Sequence, residues 1–221
     1  MGAENVKIEP LLLIGGQSLR MGTRKELLTL PDGRLALEYA LETLWCATPS
    51  APSVYLSLHD ESQLDAVWFA RQERGQSQRL PFAIVPIFDN QDHDIGPAAG
   101  LLAAHAMFPD TSFLILGCDY PLLPPDALEQ LMSQYVHPVT CFSNDEGFSE
   151  PLIAIWAPEA LEKLKENVKR GRNGLNEVIK QIGGNTATPI RKQWIKGTNT
   201  RKEWDEAMEV LSNRQSDCCY H

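Results

Sequence analysis

An α/β protein, with a mostly parallel central sheet in a single-domain, three-layer α/β/α arrangement, is the fold class this sequence predicts. Apolar, β-branched or aromatic runs of strand length recur along the chain, and helix-like segments separate most of them. The 221 residues suit one large domain, with no linker to divide them.

The first strand is read at residues 11–14 and runs into a glycine turn. Leu35, Leu37, Ala40, Leu41 and Leu44 then share one helical face. A second strand follows at 54–58, a helix at 60–74 with Leu64, Val67, Trp68 and Arg71 at similar spacing, and a third strand at 82–87. Pro97 opens a small-residue helix to Met107, a strand is expected at 113–117, and Pro125 sits in the first turn of a helix to Tyr135. Strands at 139–142 and 152–156 precede helices at 158–168, 175–182 and 200–211, the last opened by the capping-box pattern Thr200-Arg201-Lys202-Glu203. Residues 1–212 are expected to form the domain and 213–221 a flexible, frayed tail.

A net charge of −9 argues against a general nucleic-acid surface and confines any polyanion site to a local cluster of Arg and Lys. No apolar run approaches the roughly 20 residues that span a bilayer. The five cysteines form no Cys-x-x-Cys pair, and the five histidines show no zinc-ligand spacing with them. A soluble, cytoplasmic protein with reduced thiols and no membrane partner is expected.

The richest stretch is Leu11-Leu12-Leu13-Ile14-Gly15-Gly16-Gln17-Ser18-Leu19-Arg20-Met21-Gly22-Thr23-Arg24-Lys25. Paired glycines let backbone N–H groups approach phosphate oxygens where a Cβ would collide, and Arg20 and Lys25 supply positive charge. Neither the P-loop spacing nor Gly-x-Gly-x-x-Gly can be read here. In an open α/β sheet, ligands gather at the carboxyl ends of strands, where this loop, the Gly96 turn and Asp119 would lie. Asp119 ends the apolar run 113–118, a suitable place for a carboxylate that holds magnesium with substrate phosphates, although capping of the following turn would also explain it.

The string Gly-Gly-x-Ser-x-Arg-Met-Gly-x-x-Lys resembles the signature of the molybdenum cofactor guanylyltransferase-like nucleotidyltransferases. Four later segments match that family's motifs in order: Gly96-Pro97-Ala98-Ala99-Gly100, Leu116-Gly117-Cys118-Asp119-Tyr120-Pro121, Glu150-Pro151-Leu152-Ile153-Ala154 and Gly197-Thr198-Asn199-Thr200. The resemblance covers most of the chain. It implies a Rossmann-like nucleotidyltransferase fold and magnesium-dependent transfer of a nucleoside monophosphate, GMP from GTP, to the phosphate of molybdopterin, with release of pyrophosphate.

By the same resemblance, Lys25, Arg20 and Asp119 carry catalysis, and Asp119 is the metal ligand. Ile14, Gly15, Gly16, Ser18, Ser57, Asp89, Gly96 and Gly100 are expected to bind the nucleotide. Arg170, Arg172 and Asn199 are expected on the acceptor side, although a basic helix end and a helix cap would explain those residues as well. Ser57 stands where the family tends to carry an asparagine that helps recognise guanine, and a hydroxyl cannot make the same paired contacts, so selection for guanine is expected to be relaxed. Two alternatives stay open: cytidylyl or uridylyl transfer to another phosphorylated metabolite, and a nucleotide-binding sensor or pseudoenzyme without turnover. The oligomeric state is not legible.

Overall fold

A computed structural model describes residues 7–14, 24–73, 80–89 and 95–218, with side chains through residue 214. Of the expected site residues, Gly15, Gly16, Ser18 and Arg20 lie outside the described residues.

Seven strands form one sheet in the order β3-β2-β1-β4-β6-β5-β7. They are β1 (Ile8–Leu13), β2 (Ser53–Leu58), β3 (Ala83–Phe88), β4 (Ser112–Gly117), β5 (Val139–Ser143), β6 (Ser149–Trp156) and β7 (Asn185–Ala187). β6 alone runs antiparallel to its neighbours β4 and β5, and every other pairing is parallel. The mostly parallel sheet expected from the alternation of runs is therefore present. The seventh strand was not expected: Asn185–Ala187 is short and polar, and it becomes a strand by pairing with β5 rather than through an apolar run of its own.

Helices α1 (Ala36–Ala47), α2 (Glu61–Glu73) and α4 (Pro125–Ser133) cover one face, and α3 (Pro97–Met107), α5 (Pro158–Val168) and α6 (Leu175–Gln181) cover the other. The strands feed both layers by period-two alternation. Leu12, Leu114, Leu116, Ile153 and Ile155 point into the first core, whereas Leu11, Leu13, Phe113, Ile115, Ala154 and Trp156 point into the second. Each such large side chain, fully buried, is worth about 1.5–3 kcal/mol over leaving it exposed.

Helix α7 (Arg201–Cys218) lies outside this sandwich, with Trp204 buried against Leu30 and Ala36 and with Met208 and Leu211 packed alongside. Its backbone stays helical past Leu211, through the first residues read from sequence as a frayed tail. Docking of the Trp204, Met208 and Leu211 stripe supplies the tertiary support that an isolated polar helix end lacks.

From β1 the chain builds outward through β2 to β3, then returns to lay β4 on the opposite side of β1. The carboxyl ends of β1 and β4 flank the point where the order reverses, the usual crevice for a ligand in such a sheet. Ile14 and the glycine-rich stretch after it follow β1, and Asp119 follows β4.

Candidate functional site

Asp119 is fixed by its backbone before its carboxylate is considered. Its carbonyl accepts the N–H of Thr198 at 2.8 Å and the hydroxyl of Thr198 at 3.1 Å, tying the loop before α7 to the end of β4. A Cβ on Gly117 would lie 2.8 Å from Asp119 Oδ1, so a glycine at the strand end leaves room for the carboxylate. Burial pushes the Asp119 carboxyl above the usual range, and the nearby Lys25 ammonium only partly opposes that.

Lys25 opens a short 3₁₀ helix, Lys25–Leu27. Its ammonium donates to Asn199 Oδ1 at 2.8 Å and stands 3.7 Å from Asp119 Oδ2. Three residues from separate parts of the chain thus meet at the carboxyl edge of the sheet. Asn199 does not cap α7 with its side chain. Thr200 and Glu203 do so reciprocally: Glu203 Oε2 accepts the Thr200 N–H at 2.8 Å, and Thr200 Oγ1 accepts the Glu203 N–H at 3.3 Å. Asn199 gives Glu203 only its backbone N–H, so its side-chain oxygen is left for Lys25.

Beside Asp119, Tyr120 donates its hydroxyl to Glu150 Oε2 at 2.9 Å. Burial raises the Tyr120 phenol and the Glu150 carboxyl, and the charge of Asp119 adds to both. Tyr120 is therefore a neutral donor, and its ring lies 3.4–3.5 Å from the positions that Cβ atoms on Gly117 and Gly197 would occupy.

Among the described residues no group of three or more His, Cys, Asp or Glu could hold a metal ion. Asp119 nonetheless offers what magnesium takes in such sites, one hard carboxylate to be completed by water and substrate phosphate oxygens. Asn199 Oδ1 is a second oxygen within the same cluster.

On the nucleotide side, Ile14 donates its N–H to the Ser57 carbonyl at 3.3 Å. Asp89 follows β3, donates its N–H to the Leu58 carbonyl at 2.9 Å, and holds His59 Nδ1 at 2.9 Å through Oδ1. Gly96 has φ +62° and precedes Pro97 at the first turn of α3, a backbone that only glycine adopts without strain.

Ser57 is only 1 % exposed, and a Cβ on Gly100 would fall 2.2 Å from its Oγ. The hydroxyl packs α3 against β2, and Gly100 marks a close helix–strand approach. Arg170 and Arg172 lie on the exposed turn between α5 and α6. Arg172 reaches Glu177 at 3.3 Å, and the Arg170 and Arg172 N–H groups close the end of α5 on the Asn167 carbonyl. Asn173 Nδ2 ties this turn to the Ile95 carbonyl at 3.2 Å, beside Gly96.

Gln63 carries no signal of a site role in the sequence. Asp60-x-x-Gln63 reads as an ordinary helix start, and Asp60 Oδ1 does accept the Gln63 N–H at 3.0 Å. The Gln63 side chain, however, donates to the Ile14 carbonyl at 3.0 Å and to Glu26 Oε1 at 3.1 Å, and accepts the His59 N–H at 2.9 Å.

The MobA-like NTP transferase domain model matches residues 10–186, the span that holds the second core, most of the first, and Lys25 and Asp119. The chain belongs to that family. As a MobA-like NTP transferase it is a nucleotidyltransferase. It is 29% identical over 158 residues to a molybdenum cofactor biosynthesis bifunctional protein of Synechocystis, covering 69% of this chain and 40% of that one. The chain thus spans well under half of that relative's length. A molybdenum cofactor guanylyltransferase of Haemophilus influenzae is 23% identical over 182 residues, covering 81% of this chain and 85% of that one. The crystal structure of molybdopterin-guanine dinucleotide biosynthesis protein A from Archaeoglobus fulgidus superposes with a TM-score of 0.68 over 93% of this chain and all of that chain at 21% identity, a likeness of fold. No helix among the described residues is long and apolar enough to cross a membrane.

Proposed function

We propose that this MobA-like NTP transferase moves the GMP unit of GTP onto the terminal phosphate of molybdopterin and releases pyrophosphate. The observation that carries the reading is the meeting of Lys25, Asp119 and Asn199 at the sheet's reversal point, directly after the glycine-rich stretch. Two relatives whose names refer to the molybdenum cofactor support the choice of acceptor.

No general base is required. A phosphomonoester acceptor is largely ionised near neutral pH and attacks the α-phosphorus in line, so positioning and charge neutralisation are what the protein must supply. Lys25 neutralises charge that builds on the α-phosphate, while Asn199 aims the ammonium. Arg20 and the amides of Gly15 and Gly16, with Ser18, hold the β- and γ-phosphates, and Arg170 or Arg172 meets the acceptor's phosphate. Asp119 would hold a magnesium ion, which when bound supplies Lewis-acid stabilisation of the phosphoryl oxygens.

A second reading, transfer of a cytidylyl or uridylyl group to another phosphorylated metabolite, is favoured by one observation. Ser57, at the position aligned with the family's base-reading asparagine, is buried under α3. Incubating the protein with GTP, CTP, UTP or ATP, magnesium and molybdopterin, and following pyrophosphate, separates the two. Release with GTP that depends on molybdopterin supports the first. Release that no nucleotide and molybdopterin together produce removes it, and tight NTP binding without turnover would indicate a sensor.

A further inference from the structure

We infer that Gln63 is a positioning residue of the nucleotide site, a reading that rests on the nucleotidyl transfer proposed above. Its side-chain amide joins three points at the carboxyl edge of the sheet and, through His59, reaches a fourth. One N–H holds the carbonyl of Ile14, where β1 ends, and the other holds Glu26 Oε1, next to Lys25. The amide oxygen takes the N–H of His59, where β2 ends, and His59 passes the connection on to Asp89, after β3, through its ring. Gln63 is 7 % exposed and Glu26 only 2 %, so neither side chain has water as a ready substitute partner.

The consequence is geometric. Ile14 and Glu26 bracket the glycine-rich stretch and Lys25, and one planar amide sets the distance between those two flanks. The same amide ties them to the Asp89 turn, so the phosphate side and the Asp89 side of the site keep one spacing. Glu26 contributes a buried carboxylate that accepts a charge-assisted bond and points the start of the 3₁₀ helix, and hence Lys25, toward Asp119. A helix cap alone would need only the Gln63 backbone N–H, which Asp60 already takes. Gln63 touches no reacting atom and acts through Lys25 and Asp89.

The test compares Gln63→Met, which keeps length but removes every donor and acceptor, with Gln63→Glu, which keeps an acceptor for His59 and loses the donors to Ile14 and Glu26. Thr140→Val is the control: Thr140 is buried on β5 and its hydroxyl bonds the Val136 backbone and, at 3.5 Å, the Asn185 amide, all away from the site, so its loss perturbs folding without reaching the site. Binding of GTP, CTP, UTP and ATP is measured by calorimetry without acceptor, with melting temperature and steady-state kinetics alongside. Both Gln63 variants are expected to weaken the best-bound triphosphate by at least about tenfold and to raise its KM accordingly, with less than about threefold loss of kcat at saturation. Thr140→Val is expected to lower the melting temperature with affinity unchanged. Affinity within twofold of wild type in either Gln63 variant overturns the inference, as does an equal loss of affinity in Thr140→Val. A wild-type protein that binds none of the four triphosphates overturns the proposed function and this inference together.

Discussion

The Lys25 ammonium donates to Asn199 Oδ1 at 2.8 Å although the two residues are 174 positions apart. This bond separates two roles that the sequence left mixed. If Asn199 served only to start α7, its side chain would be engaged there, yet Thr200 and Glu203 complete that cap without it. Asn199→Ala is expected to lower kcat roughly ten- to hundredfold, the kinetic equivalent of a hydrogen bond to a charged group worth about 1.5–3 kcal/mol, with little change in melting temperature. Glu203→Ala is expected to do the reverse, costing about 1 kcal/mol of stability and leaving kcat nearly intact. Thermal melts and pyrophosphate assays on the two variants check the assignment, and a purely thermal effect of Asn199→Ala would return that residue to the cap.

Lys25→Ala and Asp119→Ala should each reduce turnover by at least about two orders of magnitude, because each removes charge stabilisation that grows toward the transition state. Circular dichroism should show the fold unchanged, since both side chains lie at the edge of the sheet and neither belongs to a core. Losses smaller than about fivefold in steady-state pyrophosphate release would move the chemistry away from this cluster.

The raised Asp119 carboxyl has a consequence for stability. In the unfolded chain this group ionises at its ordinary, lower pKa, so as pH rises the unfolded state gains the charge first and folding loses free energy until the folded carboxyl has also ionised. Around it stand Lys25, which favours the charge, and Tyr120, Glu150 and Cys118, which do not. Asp119→Asn should therefore melt higher than wild type at neutral pH, and the difference should disappear once pH falls below the ordinary aspartate value near 3.9. Scanning calorimetry across that range is the measurement, and a variant less stable at pH 7 would mean that the Lys25 ion pair outweighs burial.

What the sequence revealed and what it hid have physical reasons. Lys25 and Asp119 were legible because each ends a stretch whose residue types have few other uses: glycines leading to a lysine, and an apolar strand leading to a carboxylate. The six longer strands announced themselves by apolar content, whereas Asn185–Ala187 did not, because its strand character comes from its neighbour β5. The bond between Asn199 and Lys25 joins segments that nothing local connects. Gln63 was hidden for a different reason: Asp60-x-x-Gln63 satisfies a helix start so well that no further role is suggested. Arg170 and Arg172 drew attention as a basic turn, and in the fold their backbone N–H groups serve the end of α5.

Ser57 shows how period-two alternation bears on a motif alignment. On β2, Val54, Leu56 and Leu58 face the α1 side, so Tyr55 and Ser57 face α3, and the residue opposite Gly100 has to be small. Ser57→Asn is accordingly not expected to sharpen the choice of guanine. It adds atoms where Oγ already meets the α3 backbone, and overpacking of this kind costs about 1–3 kcal/mol. Gly100→Ala should destabilise by a similar amount, since its Cβ would fall 2.2 Å from Ser57 Oγ and 3.0 Å from Leu13 Cδ2. Because the shortest of these contacts is to the hydroxyl, Ser57→Ala in the Gly100→Ala background should restore part of the loss, a coupling that two independent sites would not show. Chemical denaturation of the four proteins in this cycle measures it. Additive effects, or a Ser57→Asn variant as stable as wild type with a stronger preference for GTP, would put Ser57 beside the base after all.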